Sequence, residues 1–288
     1  MFESFETRRI KTQEIEINLK IGGRGPALLL LHGYPQTHIM WHKIASELAC
    51  RFTVVATDLR GYGDSGKPPT DAKHEPYSKV QMAKDQAEVM TELGFDDFFV
   101  VGHDRGGRVA HRLACDYSHR IRKIAVLDIA PTAKMYGSTN KGFATAYYHW
   151  FFLIQPFDFP ERLIGADPRY YLEKKIKAGS RANGAITQDA FDEYLRCFSN
   201  PETIHATCED YRAAASIDLI HDTANAGSKI EMPLLALWGR DGFVGKTYDV
   251  IETWRDVALD VSGGSVPGGH YLPEEAPAET LEKLLKFL

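Results

Sequence analysis

The sequence has few cysteines, no long apolar run and no basic cluster, and each absence excludes a class of protein. The four cysteines among 288 residues form no CxxC pair and are predicted to be reduced and mostly buried: Cys50, Cys115, Cys197 and Cys208. No apolar stretch reaches membrane-spanning length, and residues 1–11 lack the hydrophobic segment of a signal peptide. The net charge of -5 argues against a nucleic-acid partner. We therefore expect a cytoplasmic protein without membrane or nucleic-acid partners.

The pattern that is present alternates buried strands with amphipathic helices. Apolar runs at 27–31 and 98–101 predict strands that are covered on both faces. Further strands are predicted at 53–57 and 123–128, and the alternating residues 13–19 predict a half-buried edge strand. Strands and helices that alternate over short loops indicate an α/β protein with a mostly parallel, doubly wound sheet.

Between residues 134 and 229 the strand pattern stops. Aromatic residues cluster there, and proline, aspartate and glycine interrupt helical segments, so 134–229 is predicted to be an inserted helical cap. The sheet pattern resumes at 234–238 and continues at 259–261. The predicted core therefore comprises residues 1–133 and 230–288.

The turn around Asp104 is the feature from which a reaction is predicted. The run 98–101 leads into Gly102-x-Asp104-x-Gly106 and then a helix, which is the arrangement of a nucleophile elbow with aspartate in place of serine. An aspartate that attacks a saturated carbon forms an ester that water can cleave, so the pattern favours displacement of a leaving group from such a carbon. Halides and epoxides fit this chemistry. The competing interpretation is an aspartate that only caps the helix.

Two arginines follow the predicted nucleophile. Arg105 and Arg108 are three residues apart at a helix N-terminus, so both can face the same side. Either they pair with surface acids or they form a clamp for a substrate carboxylate, which guanidinium geometry matches well. Their position directly after Asp104 favours the clamp, which would also keep Asp104 ionised.

A base and an orienting acid are predicted from their places after Asp104 in the chain. His270 lies in a glycine-rich loop after the last predicted strand, where the histidine of an α/β-hydrolase arrives. Asp128 and Asp241 both follow predicted strands and would both reach the carboxyl edge of the sheet. The residues alone leave these two acids as alternatives.

Hydrogen-bond donors are predicted on both sides of the nucleophile. The amide of Tyr34 follows the strand at 27–31, at the edge where ligands of open α/β sheets bind. His149, Trp150 and Tyr211 of the predicted cap could donate to a leaving anion. Aromatic residues in helices more often belong to the core, so this role is the less common of two interpretations.

The sequence resembles the haloacetate dehalogenases of the α/β-hydrolase fold, and most closely the fluoroacetate dehalogenases. The resemblance covers nearly the whole chain, and its most specific features are Asp-Arg-Gly-Gly-Arg at 104–108, His-Trp at 149–150 and Asp-Tyr-Arg at 210–212. Further similar segments are 31–36, 58–63, 126–129 and 269–270. The resemblance implies that Asp104 is the nucleophile, His270 the base that activates water and Asp128, rather than Asp241, the acid.

The resemblance also implies how a substrate would be held. Arg105 and Arg108 would bind its carboxylate, and three side chains of the cap would bind the departing halide: His149, Trp150 and Tyr211. Tyr34 stands where phenylalanine is frequent in the family, so its hydroxyl bears on the fine shape of the pocket. No metal or organic cofactor is implied.

The sequence therefore predicts a hydrolytic dehalogenase that converts fluoroacetate or chloroacetate to glycolate and halide through an aspartyl ester. The expected partner is a small anionic haloacid, and a homodimer is an assembly that the sequence leaves open. One alternative is an epoxide hydrolase with the same aspartate, although a neutral epoxide has no use for two arginines. The other is a hydrolase-fold receptor that binds a small acid without catalysis.

Overall fold

A single eight-stranded sheet forms the centre of the computed structural model, which describes residues Met1–Leu288. The strands are β1 (Glu6–Lys11), β2 (Glu16–Gly23), β3 (Ala27–Leu31), β4 (Thr53–Thr57), β5 (Phe98–His103), β6 (Ile121–Leu127), β7 (Leu234–Gly239) and β8 (Val261–Val266). Their order in the sheet is β1-β2-β4-β3-β5-β6-β7-β8. Only the β1–β2 and β2–β4 pairs are antiparallel, so the predicted α/β fold with a mostly parallel sheet is confirmed.

Seven α-helices belong to the chain on either side of a long helical interval. They are α1 (Ala45–Ala49), α2 (Lys79–Glu92), α3 (Arg105–Asp116), α12 (Phe243–Thr247), α13 (Val250–Arg255), α14 (Leu272–Glu275) and α15 (Pro277–Phe287). Three short 3-10 helices accompany them: His38–Trp41, Glu75–Tyr77 and Ser118–Arg120. None of the helices combines the length and the apolar character that crossing a bilayer requires.

Eight helices and no strand lie between β6 and β7, and we refer to α4–α11 as the cap helices. They are α4 (Thr132–Gly137), α5 (Lys141–Ala146), α6 (Tyr148–Leu153), α7 (Phe159–Ala166), α8 (Pro168–Gly179), α9 (Gln188–Phe198), α10 (Pro201–Ala214) and α11 (Ile217–Ala224). The division of the chain into a core and a separate cap domain at 134–229 stays a prediction.

The most apolar strands occupy the middle of the sheet. Every residue of β3 and of β5 is buried, as expected where helices cover both faces of a parallel sheet. Helix α3 packs on β5 and β6. This packing places the β5–α3 turn, and with it Asp104, at the carboxyl edge near the centre of the sheet.

Three strand or helix predictions were wrong in detail. The predicted edge strand is instead the second strand, because the exposed and highly charged β1 pairs outside β2 and has no apolar signal. The sequence also predicts one helix around Trp41 to Leu48, but a 3-10 helix at His38–Trp41 and the short α1 take its place. The last strand begins at Val261 rather than at Leu259, which is 66% exposed; its glycines and serines conceal it in the sequence.

Candidate active site

Asp104 occupies a strained turn that close contacts keep in place. Its φ of 47° lies in the region that favours glycine. A Cβ on Gly33 would lie 2.4 Å from the Asp104 Cβ, and one on Gly106 would lie 2.4 Å from the His32 carbonyl oxygen. The turn therefore requires glycine at both places. The side chain of Asp104 forms no capping bond with α3, which removes the competing interpretation of a helix cap.

The Asp104 carboxylate is buried and ionised. Burial opposes its ionisation, but the neighbouring rings of His270 and His103 and the guanidinium charges of Arg108 and Arg105 outweigh burial and hold its pKa well below the usual value. Its Oδ1 accepts a hydrogen bond of 3.0 Å from the amide of Tyr34. The predicted donor at Tyr34 thus contacts one carboxylate oxygen and leaves Oδ2 free of that bond.

The structure brings His270 between Asp104 and Asp128. The His270 Nδ1 donates to Asp128 Oδ2 at 2.6 Å, and its Nε2 lies 3.8 Å from Asp104 Oδ2. The longer distance is not a hydrogen bond, so Nε2 is free to bind water. Asp128 is fixed by the amide of Gly239, which donates to its Oδ1 at 3.0 Å. Asp241 is exposed, and it is Asp128 that contacts the histidine.

The loop that carries His270 is held by a residue that the sequence analysis missed. The two carboxylate oxygens of Glu275 accept hydrogen bonds from the amides of Gly269 at 3.0 Å and Tyr271 at 2.9 Å. His103 donates from Nε2 to the His270 carbonyl oxygen at 2.7 Å. Burial lowers the pKa of His103 to about 3, so this imidazole is neutral. His270 is therefore held in place through the residues on both sides of it and through its own carbonyl oxygen.

Both arginines after Asp104 are buried rather than paired with surface acids. Arg105 uses Nε and Nη2 on Asp210, with the Nε bond at 2.8 Å. Arg108 donates to the Ala130 carbonyl oxygen at 3.1 Å and to Thr132 Oγ1 at 2.7 Å. The Arg105 Nη1 and the Arg108 Nε have no partner. Asp210 therefore occupies the Nε and Nη2 edge of the Arg105 guanidinium and leaves only Nη1 unbonded; the clamp for a substrate carboxylate stays a prediction.

The predicted cap trio lies against these arginines. Trp150 stacks under the Arg108 guanidinium at 4.8 Å, and Tyr211 stacks under that of Arg105 at 4.2 Å. The Trp150 Nε1 and the Tyr211 hydroxyl are buried without a hydrogen-bond partner. His149 lies 5.7 Å from the Tyr211 ring, and burial, followed by the charge of Lys175, lowers its pKa well below the usual value. The trio therefore presents neutral side chains with unused donors.

The ring of Tyr34 packs against two members of the trio. Its ring is parallel to that of His149 at 6.1 Å and lies edge-on to that of Tyr211 at 5.3 Å. Its hydroxyl donates to the Tyr171 hydroxyl at 3.0 Å. The extra hydroxyl of this tyrosine is thus bonded to the cap helix α8.

A cavity of about 240 Å³ opens beside His270, and its walls also include Asp128, His149 and Lys175. Two clusters elsewhere offer metal-type ligand atoms within 4.8 Å of one another: Asp64–Glu193–Cys197 and Glu161–His205–Glu209. Neither includes a site residue, and in the second the Arg212 guanidinium bonds both glutamates.

The family model for the alpha/beta hydrolase fold matches residues 26–277 of this chain. The chain is an α/β hydrolase. The crystal structure of an alpha/beta hydrolase from Nostoc sp PCC 7120 is 60% identical and superposes with a TM-score of 0.99, over 100% of this chain and 99% of that one. The fluoroacetate dehalogenase of Burkholderia sp is 42% identical over 100% of this chain and 95% of its own length. The predicted membership of the haloacetate dehalogenase family is thereby confirmed.

A second relative is named for a different activity. The soluble epoxide hydrolase of Corynebacterium sp. (strain C12) is 35% identical over 92% of this chain and 91% of its own length. The comparisons therefore support hydrolase activity for this α/β hydrolase, while the choice of bond it cleaves depends on the site.

The carboxylate that pairs with Arg105 belongs to a buried ion network that the sequence analysis did not predict. Asp210 accepts hydrogen bonds from Arg105 and Lys79, and from the Tyr62 hydroxyl at 2.6 Å. These charges lower the pKa of Asp210 well below its usual value despite burial, which opposes ionisation. Asp210 belongs to the Asp-Tyr-Arg segment at 210–212. The family resemblance included this segment but implied no role for Asp210.

Proposed function

We propose that this hydrolase cleaves the carbon–halogen bond of haloacetates, fluoroacetate or chloroacetate, to give glycolate and halide. The observation that carries the proposal is Arg108, a buried cation that forms no ion pair with a carboxylate. An isolated buried charge is costly, so such a site is complete only when an anion binds. The unused Nε of Arg108 and Nη1 of Arg105 supply the donors for that anion.

The first step is displacement at the α carbon. Asp104 Oδ2, which lacks the bond that Tyr34 makes to Oδ1, forms the new C–O bond. The C–halogen bond breaks, and the halide leaves with the bonding electrons toward the unused donors of Trp150 and Tyr211. Three donors at the leaving group, counting His149, would stabilise the charge that develops on a poor leaving group such as fluoride.

The second step is hydrolysis of the ester. His270 Nε2 takes a proton from water, and the hydroxide attacks the Asp104 carboxyl carbon. The carbonyl oxygen of the ester is then Oδ1, so the Tyr34 amide stabilises the negative charge that develops there. Asp128 stabilises the imidazolium. The proton from His270 passes to the departing glycolate oxygen. The second proton of the water leaves the new carboxyl group of Asp104 for solvent, and the carboxylate of Asp104 is regenerated.

The second candidate is epoxide hydrolysis by the same aspartate, histidine and acid. It is favoured by the unbonded Tyr211 hydroxyl, which could protonate the opening oxygen, and by the Corynebacterium relative. Arg108 counts against it, because a neutral epoxide leaves the charge of this arginine without an ion-pair partner. A receptor without activity would have no use for the free His270 Nε2.

The test is halide release from fluoroacetate and chloroacetate, measured with ion-selective electrodes beside diol formation from styrene oxide. We expect halide and glycolate in equal amounts, with kcat/KM for a haloacetate well above that for the epoxide. Faster turnover of styrene oxide would favour the epoxide hydrolase. Tight carboxylate binding without any product would favour the receptor, and either result overturns the proposal.

A further inference from the structure

The buried cations of this molecule fall into two groups. Six lysine and arginine residues are at most 7% exposed: Arg60, Lys79, Arg105, Arg108, Lys175 and Arg212. Four of them form ion pairs with aspartate or glutamate. Only Arg108 and Lys175 do not. Because an unpaired buried charge is costly, these two cations mark places where an anion completes the structure.

Lys175 projects from α8 toward the active site. Its Nζ makes no hydrogen bond within the protein and lies 5.8 Å from the centroid of the Tyr34 ring. It shares the 240 Å³ cavity with His149 and His270. The carboxylate whose charge acts on it is that of Asp104, the nucleophile itself. A cation in this position faces the region that an incoming substrate has to cross.

We propose that Lys175 binds the carboxylate of the incoming haloacid in this cavity, before the acid reaches Arg105 and Arg108, and so favours anionic over neutral substrates. The inference rests on the proposed function. Attraction by Lys175 offsets the repulsion between a haloacid and the ionised Asp104. Lys175 is a positioning and specificity residue, since it contacts the substrate before the bonds change.

The charge of Lys175 also links capture to pH. Burial lowers its pKa to about 8, and the Asp104 charge opposes that effect. Capture is therefore complete well below pH 8 and is lost as the pH rises through 8 and the ammonium deprotonates. The other titratable groups that face this ammonium or line its cavity are Tyr34, Asp104, Asp128, Tyr147, Tyr148, His149, Arg181 and His270.

The experiment compares Lys175→Met and Lys175→Arg with the wild type on chloroacetate, with Lys174→Met as the matched control. Lys174 is the exposed neighbour on the same helix. We expect Lys175→Met to raise KM about tenfold, the effect of one partly screened charge, with little change in kcat. Lys175→Arg restores KM, and Lys174→Met leaves it unchanged. The decline of kcat/KM above pH 8 disappears in Lys175→Met and moves to higher pH in Lys175→Arg.

A second readout separates this proposal from the proposed function. Acetate, an unreactive carboxylate, is titrated into each protein and its binding followed by tryptophan fluorescence, since Trp150 stacks under Arg108. Weaker acetate binding in Lys175→Met without halide release from any variant would support capture and reject dehalogenation. Halide release with unchanged KM, acetate affinity and pH profile would overturn capture alone. Thermal unfolding checks the fold, and we expect Lys175→Met to be at least as stable as the wild type.

Discussion

The sheet core and the cap helices contribute to the active site in opposite ways. In the core two of the three predicted catalytic residues are bonded to each other, His270 to Asp128 at 2.6 Å. In the cap helices the facing groups have no partner, as with the Trp150 Nε1 and the Tyr211 hydroxyl. Bonded groups fix a mechanism, whereas unused donors await a ligand. Under the proposed function, the difference means that the core would supply the reaction steps and the cap helices the choice of leaving group.

The largest effect is expected at the core. Asp104→Asn removes the nucleophile, and halide release should fall by at least about 10⁴-fold, because the remaining residues cannot form the ester. The measurement is continuous halide release from chloroacetate. Asp116→Asn, at the far end of α3, is the control and should retain activity. Sustained turnover by Asp104→Asn would remove the nucleophile from the mechanism.

The second prediction separates the two steps of the core. His270→Ala lacks the base for ester hydrolysis but keeps Asp104, so we expect one halide per protein molecule and then arrest. Mass spectrometry should find one carboxymethyl group on the peptide that contains Asp104. The control is Asp104→Asn treated in the same way, which should stay unmodified. Release of no halide at all by His270→Ala would mean that the histidine is needed before the ester forms.

The third prediction concerns the cap helices. Tyr211→Phe removes one donor to the leaving group, and kcat for fluoroacetate should fall by about 10²–10³. The loss should be smaller for bromoacetate, because bromide leaves carbon more readily. Tyr170→Phe, at a residue of α8 that is 59% exposed, is the matched control. Equal losses for all halides would show that Tyr211 shapes the pocket without contacting the leaving group.

The smallest effect is expected where the two regions meet. Glu274 follows the His270 loop and accepts a hydrogen bond of 3.0 Å from Tyr194 of α9. Burial raises its pKa to about 8, so the folded state binds a proton that the unfolded state releases near pH 4.5. The contribution of protonated Glu274 to the stability of the folded protein is therefore complete below pH 4.5 and is lost as the pH rises through 8.

In urea unfolding, the free energy of unfolding of the wild type should decrease between pH 5 and pH 9. In Glu274→Gln this decrease should be smaller by on the order of 2 kcal/mol. The exposed Glu282→Gln on α15 serves as the control. Parallel pH curves for the wild type and Glu274→Gln would mean that Glu274 is ionised in the folded protein, and the tie between core and cap helices would then not depend on pH.

Sequence reasoning predicted those parts of the fold that have a local signal. The apolar runs of β3 and β5 and the glycines around Asp104 indicated a sheet and an elbow, and both are present. The exposed, charged β1 gave no such signal, because an edge strand is specified by pairing with its neighbour rather than by burial.

The sequence by itself determined the α/β fold, the elbow and the positions of the aspartate and two arginines, since these depend on residues that are close in the chain. Tertiary structure decided that Asp128 rather than Asp241 contacts His270, that Asp210 occupies the fork of Arg105, and that Lys175 has no ion-pair partner. Whether a polar group is bonded or free depends on neighbours from distant parts of the chain. Such neighbours are fixed only when the cap helices pack on the sheet.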